Sequence, residues 1–401
     1  MIRLRWQIVL CACAMIPTGC HDESSDRMDD VAGVEEWTLE EVARIGSLDD
    51  PEQALTRVSA VRIGPDGKLF VAQPMENVIR VFNRTGDLVR TIGGRGEGPG
   101  EFSGLSSIGF IGDTLFASDN RLGRVSFFGW DGEFLVSVRW VTEEVRVPAG
   151  LLLPTPPQVV LRDGGGLVEP GSAVPIGPTG APAGELEVPY LRMDRTAGVT
   201  DTLGWRRIEF ASATVMVDGT EVVLWSPFQE LPRFVLMPDG SGLVVVDDES
   251  GTAPPRFRVT LIDPAGDTAW SRTVEYEPLA MVDSAVQAAV ADLHEMLQRR
   301  PPPHPTTEQI ERGLRAEGMI PETVAPVSHV VGGQDGSIWI GREDLAEERV
   351  RWDVFNPEGE RMARVQLPRE AVVVTAVEGA VVTLEPDELE VPYLMWYELH
   401  R

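Results

Sequence analysis

Short apolar runs separated by turn residues dominate the chain. Val58–Ile63 alternates apolar and polar positions, Gly64-Pro65-Asp66-Gly67 has turn chemistry, and Lys68–Ala72 is a short, largely apolar run. Val78–Phe82 and Leu88–Ile92 follow, with Thr85-Gly86-Asp87 turning between them. Runs of this length at this spacing predict four antiparallel strands. Such a sheet has two apolar faces and buries neither alone, so the unit needs copies of itself on both sides, as in a propeller blade.

The unit recurs with decay. A second copy runs through Thr114–Ser118, Arg124–Phe128 and Phe134–Val138, and a third through Val159–Leu161, Leu167–Glu169 and Val188–Asp194 after a Pro/Gly-rich excursion to Gly184. A fourth spans Phe234–Met237, Leu243–Val246, Phe257–Ile262 and Thr268–Val274, and a fifth Val327–Val331, Ile338–Ile340, Arg349–Phe355 and Met362–Leu367. Val42-Ala43-Arg44-Ile45-Gly46 matches Val89-Arg90-Thr91-Ile92-Gly93, so the body of the chain opens on an outermost strand, led in by Trp37 and Leu39. Its partners are expected at the other end, in Val372–Val377, Ala380–Leu384 and Val391–Tyr397, a closure that removes exposed sheet edges. The expected fold is an all-β, six-bladed β-propeller closed by an N-terminal outer strand joining the C-terminal blade. One extra hairpin, Val215–Trp225, makes a seventh, degenerate blade the rival count.

One stretch breaks the β pattern. Met281, Val282, Ala285, Val286, Ala289, Val290, Leu293, Met296 and Leu297 recur at helical spacing, and a second helix starts at Thr306, with Gln309 placed for a capping box. This helical insertion, residues 279–320, either packs on the propeller rim or serves as a lid or docking surface.

The connector Ile92-Gly93-Gly94-Arg95-Gly96-Glu97-Gly98-Pro99-Gly100-Glu101-Phe102, together with the repeat, resembles NHL-repeat six-bladed β-propellers, notably bacterial propeller lipoproteins with a late helical insertion. The resemblance covers nearly all of residues 35–401. It implies a fold used mostly for binding, with occasional lyases, and transfers no activity. The strand-end aspartate and third-strand arginine of that family stand here as Asp119 and Arg124, whereas Gln73 replaces the acid in the first copy.

Charge and cysteine narrow the setting. The formal net charge of −28 repels phosphate backbones and argues against nucleic acid as a partner. Residues 1–19 read as a signal peptide: Arg3 and Arg5 precede an apolar core, Ile8–Ile16, too short to span a bilayer, and Pro17-Thr18-Gly19-Cys20 ends it. This resembles a bacterial lipoprotein signal, implying acylation of Cys20; the alternative is an ordinary secretory signal with Cys20 incidental. Polar, acidic residues 20–34 read as a flexible tether ahead of the propeller, residues 35–401. Cys11 and Cys13 lie in the signal, which leaves no cysteine pair for a disulfide. The expected location is the bacterial cell envelope, lipid-anchored, at the outer membrane.

Candidate chemistry is sparse. The glycine-rich connector lacks a GK[ST] ending, runs from strand to strand, and places Glu97 and Glu101 where phosphate would sit. Of five histidines only His329 falls on an inner strand, too few for a His-rich zinc site, and no G-x-S-x-G elbow occurs. What remains is a ring of second-strand ends, Gln73, Asp119, Glu169, Asp247, Arg342 and Glu385, expected around the channel mouth on the face of the connectors. Four carboxylates with one guanidinium favour a cation or basic group, unless each pairs locally, as Asp119 with Arg124. The leading expectation is a membrane-tethered, non-catalytic propeller binding a protein, peptide or glycan, with no cofactor. The alternative is a lyase or lactonase using Ca²⁺ or Mg²⁺ held by the strand-end carboxylates.

Overall fold

The structure is a computed structural model. It describes residues 26–28, 34–47, 50, 53–140, 151–152, 156–172, 184–195, 198–228, 233–249, 251–343, 349–387 and 391–401. The signal peptide, Cys20, most of the tether and the core of the Pro/Gly-rich excursion lie outside them.

The expected strands form, and they group into six blades around a channel. Blade 1 pairs Ala60–Ile63, Leu69–Gln73, Val78–Phe82 and Leu88–Gly93 in sequence order, and blade 2 pairs Leu105–Ile111, Thr114–Asp119, Arg124–Gly129 and Phe134–Arg139. Blade 3 is built from Val159–Val160, Gly166–Val168, Gly184–Asp194 and Gly198–Phe210. Its two outer strands form a long ribbon, and the last of them was not apparent from the repeat. Blade 4 is Arg233–Leu236, Leu243–Glu249, Arg256–Ile262 and Thr268–Glu275; blade 5 is His329–Gly332, Ile338–Glu343, Arg349–Phe355 and Arg361–Pro368.

Period-two alternation sends successive side chains to opposite blade faces, and each face is buried against the next blade. Phe70 and Ala72 pack with Ile108 and Leu115 of blade 2, while Leu69 and Val71 pack with Val382 and Trp396 of blade 6, whose first three strands are Val372–Val377, Ala380–Pro386 and Pro392–His400. Equivalent cores fill every other joint, from Phe116 with Met193 around to Trp339 with Val381. The β-branched and aromatic residues of the repeat therefore form six inter-blade cores, not one central core.

The ring closes as expected, with one addition. Thr38–Ile45 is the outermost strand of blade 6, antiparallel to Pro392–His400, with Thr38 opposite His400 and Ile45 opposite Leu394. The same continuous strand, Glu35–Ile45, first runs parallel to Arg361–Pro368, with Trp37 opposite Val365. It thus joins blades 5 and 6 into one eight-stranded sheet. Farther upstream, Asp26–Met28 of the expected tether lies parallel to the outer strand of blade 4, Asp26 opposite Arg272.

The extra hairpin is not a blade. Among the described residues Ser212–Val217 and Thr220–Trp225 pair only with each other. They cover the helical insertion, in which α1 is Asp283–Gln298 and α2 is Thr307–Ala316. Ala213, Val215 and Leu224 pack with Val286, Val290, Leu293, Ile310 and Leu314 in a core separate from the inter-blade ones. Thr306 and Gln309 make the expected capping box, which fixes the start of α2. Among the described residues no helix is long and apolar enough to cross a membrane.

Candidate functional site

Five of the six residues lie at or next to the connector-face end of a second strand, whereas Asp247 lies inside its strand, which runs on to Glu249; most are held by their own blade. Gln73 is fully buried, and its Oε1 accepts from Thr56 N and Thr56 Oγ1, both at 3.1 Å. Asp119, also fully buried, accepts from the backbone N–H of Ser103 at 2.7 Å, Arg121 at 3.0 Å and Leu122 at 2.9 Å. Arg124 lies opposite Asp119 in the ladder but donates to the connector carbonyls of Glu97, Gly98 and Glu101 at 3.1, 2.7 and 2.8 Å. The aspartate therefore shapes the entry to blade 2, and the arginine pins the glycine-rich connector. Phe102 anchors that connector between blades 1 and 2.

Glu169 binds Arg206 at 2.6 Å beside Tyr190, whose phenol is pushed up first by burial and then by the Glu169 charge. Glu385 accepts from Thr383 Oγ1 at 2.5 Å and from Tyr397 OH at 3.0 Å. Arg342 is buried under Tyr276 and Phe257, with Nη1 3.6 Å from Asp353. Asp247 is the exposed member, its pKa raised by partial burial and by Glu249 against the opposing pull of Arg258. Arg258 itself pairs with Glu249 at 2.6 Å. Among the described residues no three His, Cys, Asp or Glu side chains come together as a metal site. His329 is half-buried against Trp352, with Nδ1 3.0 Å from Ser328 Oγ; burial and then the Arg233 charge hold its pKa down.

The opposite face, formed by the turns between first and second strands, contains an open cavity. About 530 Å³ in volume, it is bounded by Phe110 and Ile111 of blade 2, Leu161 and Asp163 of blade 3, Pro238 and Asp239 of blade 4, and Gln334 of blade 5. Arg192 forms part of the wall, paired with Asp163 and donating to the carbonyl of Pro264 at 3.2 Å. Asp239 accepts from Ser241 N at 3.1 Å and Ser241 Oγ at 2.8 Å. Its pKa is raised by burial and by the neighbouring Asp335, against the lowering effect of the Ser241 bonds. The wall thus mixes apolar rings and aliphatic groups with anchored charges, as a ligand pocket does.

The other half of this mouth is bridged. Gln334 reaches from blade 5 across blade 6 to blade 1: its Oε1 accepts from Ile63 N at 2.8 Å and Thr375 Oγ1 at 2.8 Å, and its Nε2 donates to Ile63 O at 3.0 Å. Its own N–H donates to Ala376 O at 2.8 Å. One side chain ties three blades and leaves the cavity as the open half of the mouth. One residue along blade 1, Arg62 donates from Nη1 to Val61 O at 2.7 Å.

Neither residue figured among the expected site residues, yet both carried a signal. Gln334 occupies the turn position held by Pro65 and Pro238 in other copies, and Arg62 interrupts an inner strand whose counterparts, Ile108–Ile111 and Phe234–Met237, contain no charge.

Comparison with a family model agrees with the fold. The model of a family described as "6-bladed beta-propeller" matches residues 21–137. A Bacteroides fragilis protein described as exported is 12% identical, with a TM-score of 0.42 and coverage of 94% of this chain and 99% of that one. A Bacteroides vulgatus protein is 10% identical, TM-score 0.43, with 92% and 98% covered. A catalytically inactive virginiamycin B lyase from Staphylococcus aureus, solved with quinupristin, is 10% identical, TM-score 0.38, with 91% and 100% covered. No curated protein matches.

Proposed function

We propose that this propeller is a non-catalytic binding module, tethered at the bacterial cell envelope through a lipid on Cys20, that takes a protein, peptide or glycan at its turn-face mouth. The observation that carries the reading is the cavity of about 530 Å³, within the range of roughly 300–1,000 Å³ usual for ligand pockets. Its walls come from three consecutive blades and the Gln334 bridge, a rigid frame suited to recognition. A peptide side chain or one or two sugar rings match it in size and in mixed polarity. The alternative, a Ca²⁺- or Mg²⁺-assisted lyase or lactonase, has weaker support, because Asp119 and Glu385 already accept bonds from their own blades.

Peptide and glycan arrays probed with the purified chain test the reading. Binding is expected, and it should be lost in Ile111→Trp, which fills the cavity wall. Binding that survives Ile111→Trp, no binding at all, or turnover of a bound compound in proportion to protein concentration would each overturn it. The lipid is tested separately: Cys20→Ser should release the protein from the membrane fraction.

A further inference from the structure

Arg62 is a cation inside the ring with little to hold it. In blade 1 the N–H and carbonyl of Ile63 are taken by Gln334 from another blade, so these groups face the channel and not the second strand. Polar groups two residues apart along a strand share an edge, so the Val61 carbonyl faces the channel as well. The Arg62 guanidinium, bonded to that carbonyl, therefore lies at the channel edge, one residue deeper than the Gln334 bridge. Its Nε is buried and, among the described residues, has no hydrogen-bond partner. Among the described residues no carboxylate comes within 4.0 Å of it, although the chain has 63 acidic residues against 35 basic ones.

A desolvated guanidinium that lacks a counter-charge is costly; Arg342 and Arg364 face Asp353 and Arg80 pairs with Glu76, while Arg124, without a carboxylate, is held by three carbonyls where Arg62 has one. Burial alone pulls the Arg62 pKa down to about 10, with no carboxylate raising it.

We propose that the channel beneath the Gln334 bridge receives the carboxylate of an acidic ligand, bound by the Arg62 guanidinium. A carboxylate matches the planar fork of donors that the guanidinium presents. The inference rests on the reading that the turn-face mouth receives a ligand, and it adds the charge of that ligand. Two sources supply the chemistry, a peptide C-terminus and a uronic acid, and the test separates them.

Acetyl-Ala-Ala and glucuronate are titrated into the purified chain by calorimetry, each against its neutral counterpart, acetyl-Ala-Ala-amide or glucose. At least one carboxylate should bind about 10- to 100-fold more tightly than its counterpart, the worth of one or two hydrogen bonds to a charged group. Arg62→Met should abolish that preference and raise the melting temperature of the free protein, because a partly buried charge without a counter-charge has gone. Arg62→Lys should keep part of the preference. In the wild type the Arg62 Nε–H resonance should move on adding the preferred probe, a readout that needs no variant. The proposal is overturned if neither carboxylate is preferred, if the preference survives Arg62→Met, or if the Nε–H resonance stays in place at saturation. Array binding with no carboxylate preference removes only this inference. A carboxylate preference with no array binding removes only the wider binding reading.

Discussion

Asp353 is the substitution with the largest expected cost. Its carboxylate is fully buried on the third strand of blade 5 and faces three guanidinium groups: Arg364 Nε at 3.4 Å, Arg342 Nη1 at 3.6 Å and Arg361 Nη1 at 4.0 Å. Arg364 also reaches Glu36 on the closing strand at 3.3 Å, so the cluster links the blade 4–blade 5 joint to ring closure. Asp353→Ala removes the shared counter-charge and leaves buried cations facing one another. Breaking a buried pair in this way costs about 3–5 kcal/mol. With an unfolding entropy of roughly 2.1 cal/mol/K per residue, a chain of 401 residues should lose about 4–6 °C in melting temperature. Asp353→Asn keeps the shape and one acceptor and should fall between Ala and wild type. Scanning calorimetry of the three proteins at neutral pH is the assay. If Asp353→Asn melts with wild type, or if Asp353→Ala shifts the midpoint by less than about 1 °C, the charge cluster is not what holds this joint.

Three further outcomes follow from particular residues. Gly93 has φ +84°, and a Cβ there would lie 2.3 Å from the Phe102 ring, so Gly93→Ala should cost roughly 2–4 kcal/mol by denaturant titration. Thr306→Ala removes half of the capping box and should cost about 0.5–2 kcal/mol, read as faster amide exchange in α2 while the blades stay protected. His329 is held below its ordinary pKa of about 6.5, so the folded state binds fewer protons than the unfolded one as acid is added. Its contribution is complete above that value and is lost as pH falls from there through the folded-state pKa; the loss should be absent from the pH–stability profile of His329→Asn.

Much of the fold was legible because the repeat is local. Turn pairs such as Asp66-Gly67 and Asp239-Gly240 mark the strand changes, and alternation within Leu69–Gln73 assigns side chains to two blade joints. Closure was legible because Val42–Gly46 copies Val89–Gly93. The partnership of the hairpin with the helices was not, since a two-stranded ribbon with one apolar face looks the same in sequence whether it meets a blade or a helix. The candidate site was least legible. Asp119 and Glu385 were expected at second-strand ends, but what a carboxylate accepts depends on backbone N–H groups whose direction the sequence does not encode. Ser103 and Arg121 supply those donors only once the connector has folded. The turn-face cavity, conversely, draws on residues from four blades, and no local pattern joins Ile111 to Asp239.

The strand Glu35–Ile45 has a consequence for how the molecule is made. It is made ahead of every blade, yet its partners around Val365 and His400 belong to the last two blades to be made. Until then the nascent ring is an open arc with raw edges on blades 5 and 6, and closing it carries the loop entropy of almost the whole chain. Completion must therefore wait until Pro392–His400 has emerged, and a truncation that spares every blade but the sixth would leave the opening segment only its short parallel seat on blade 5.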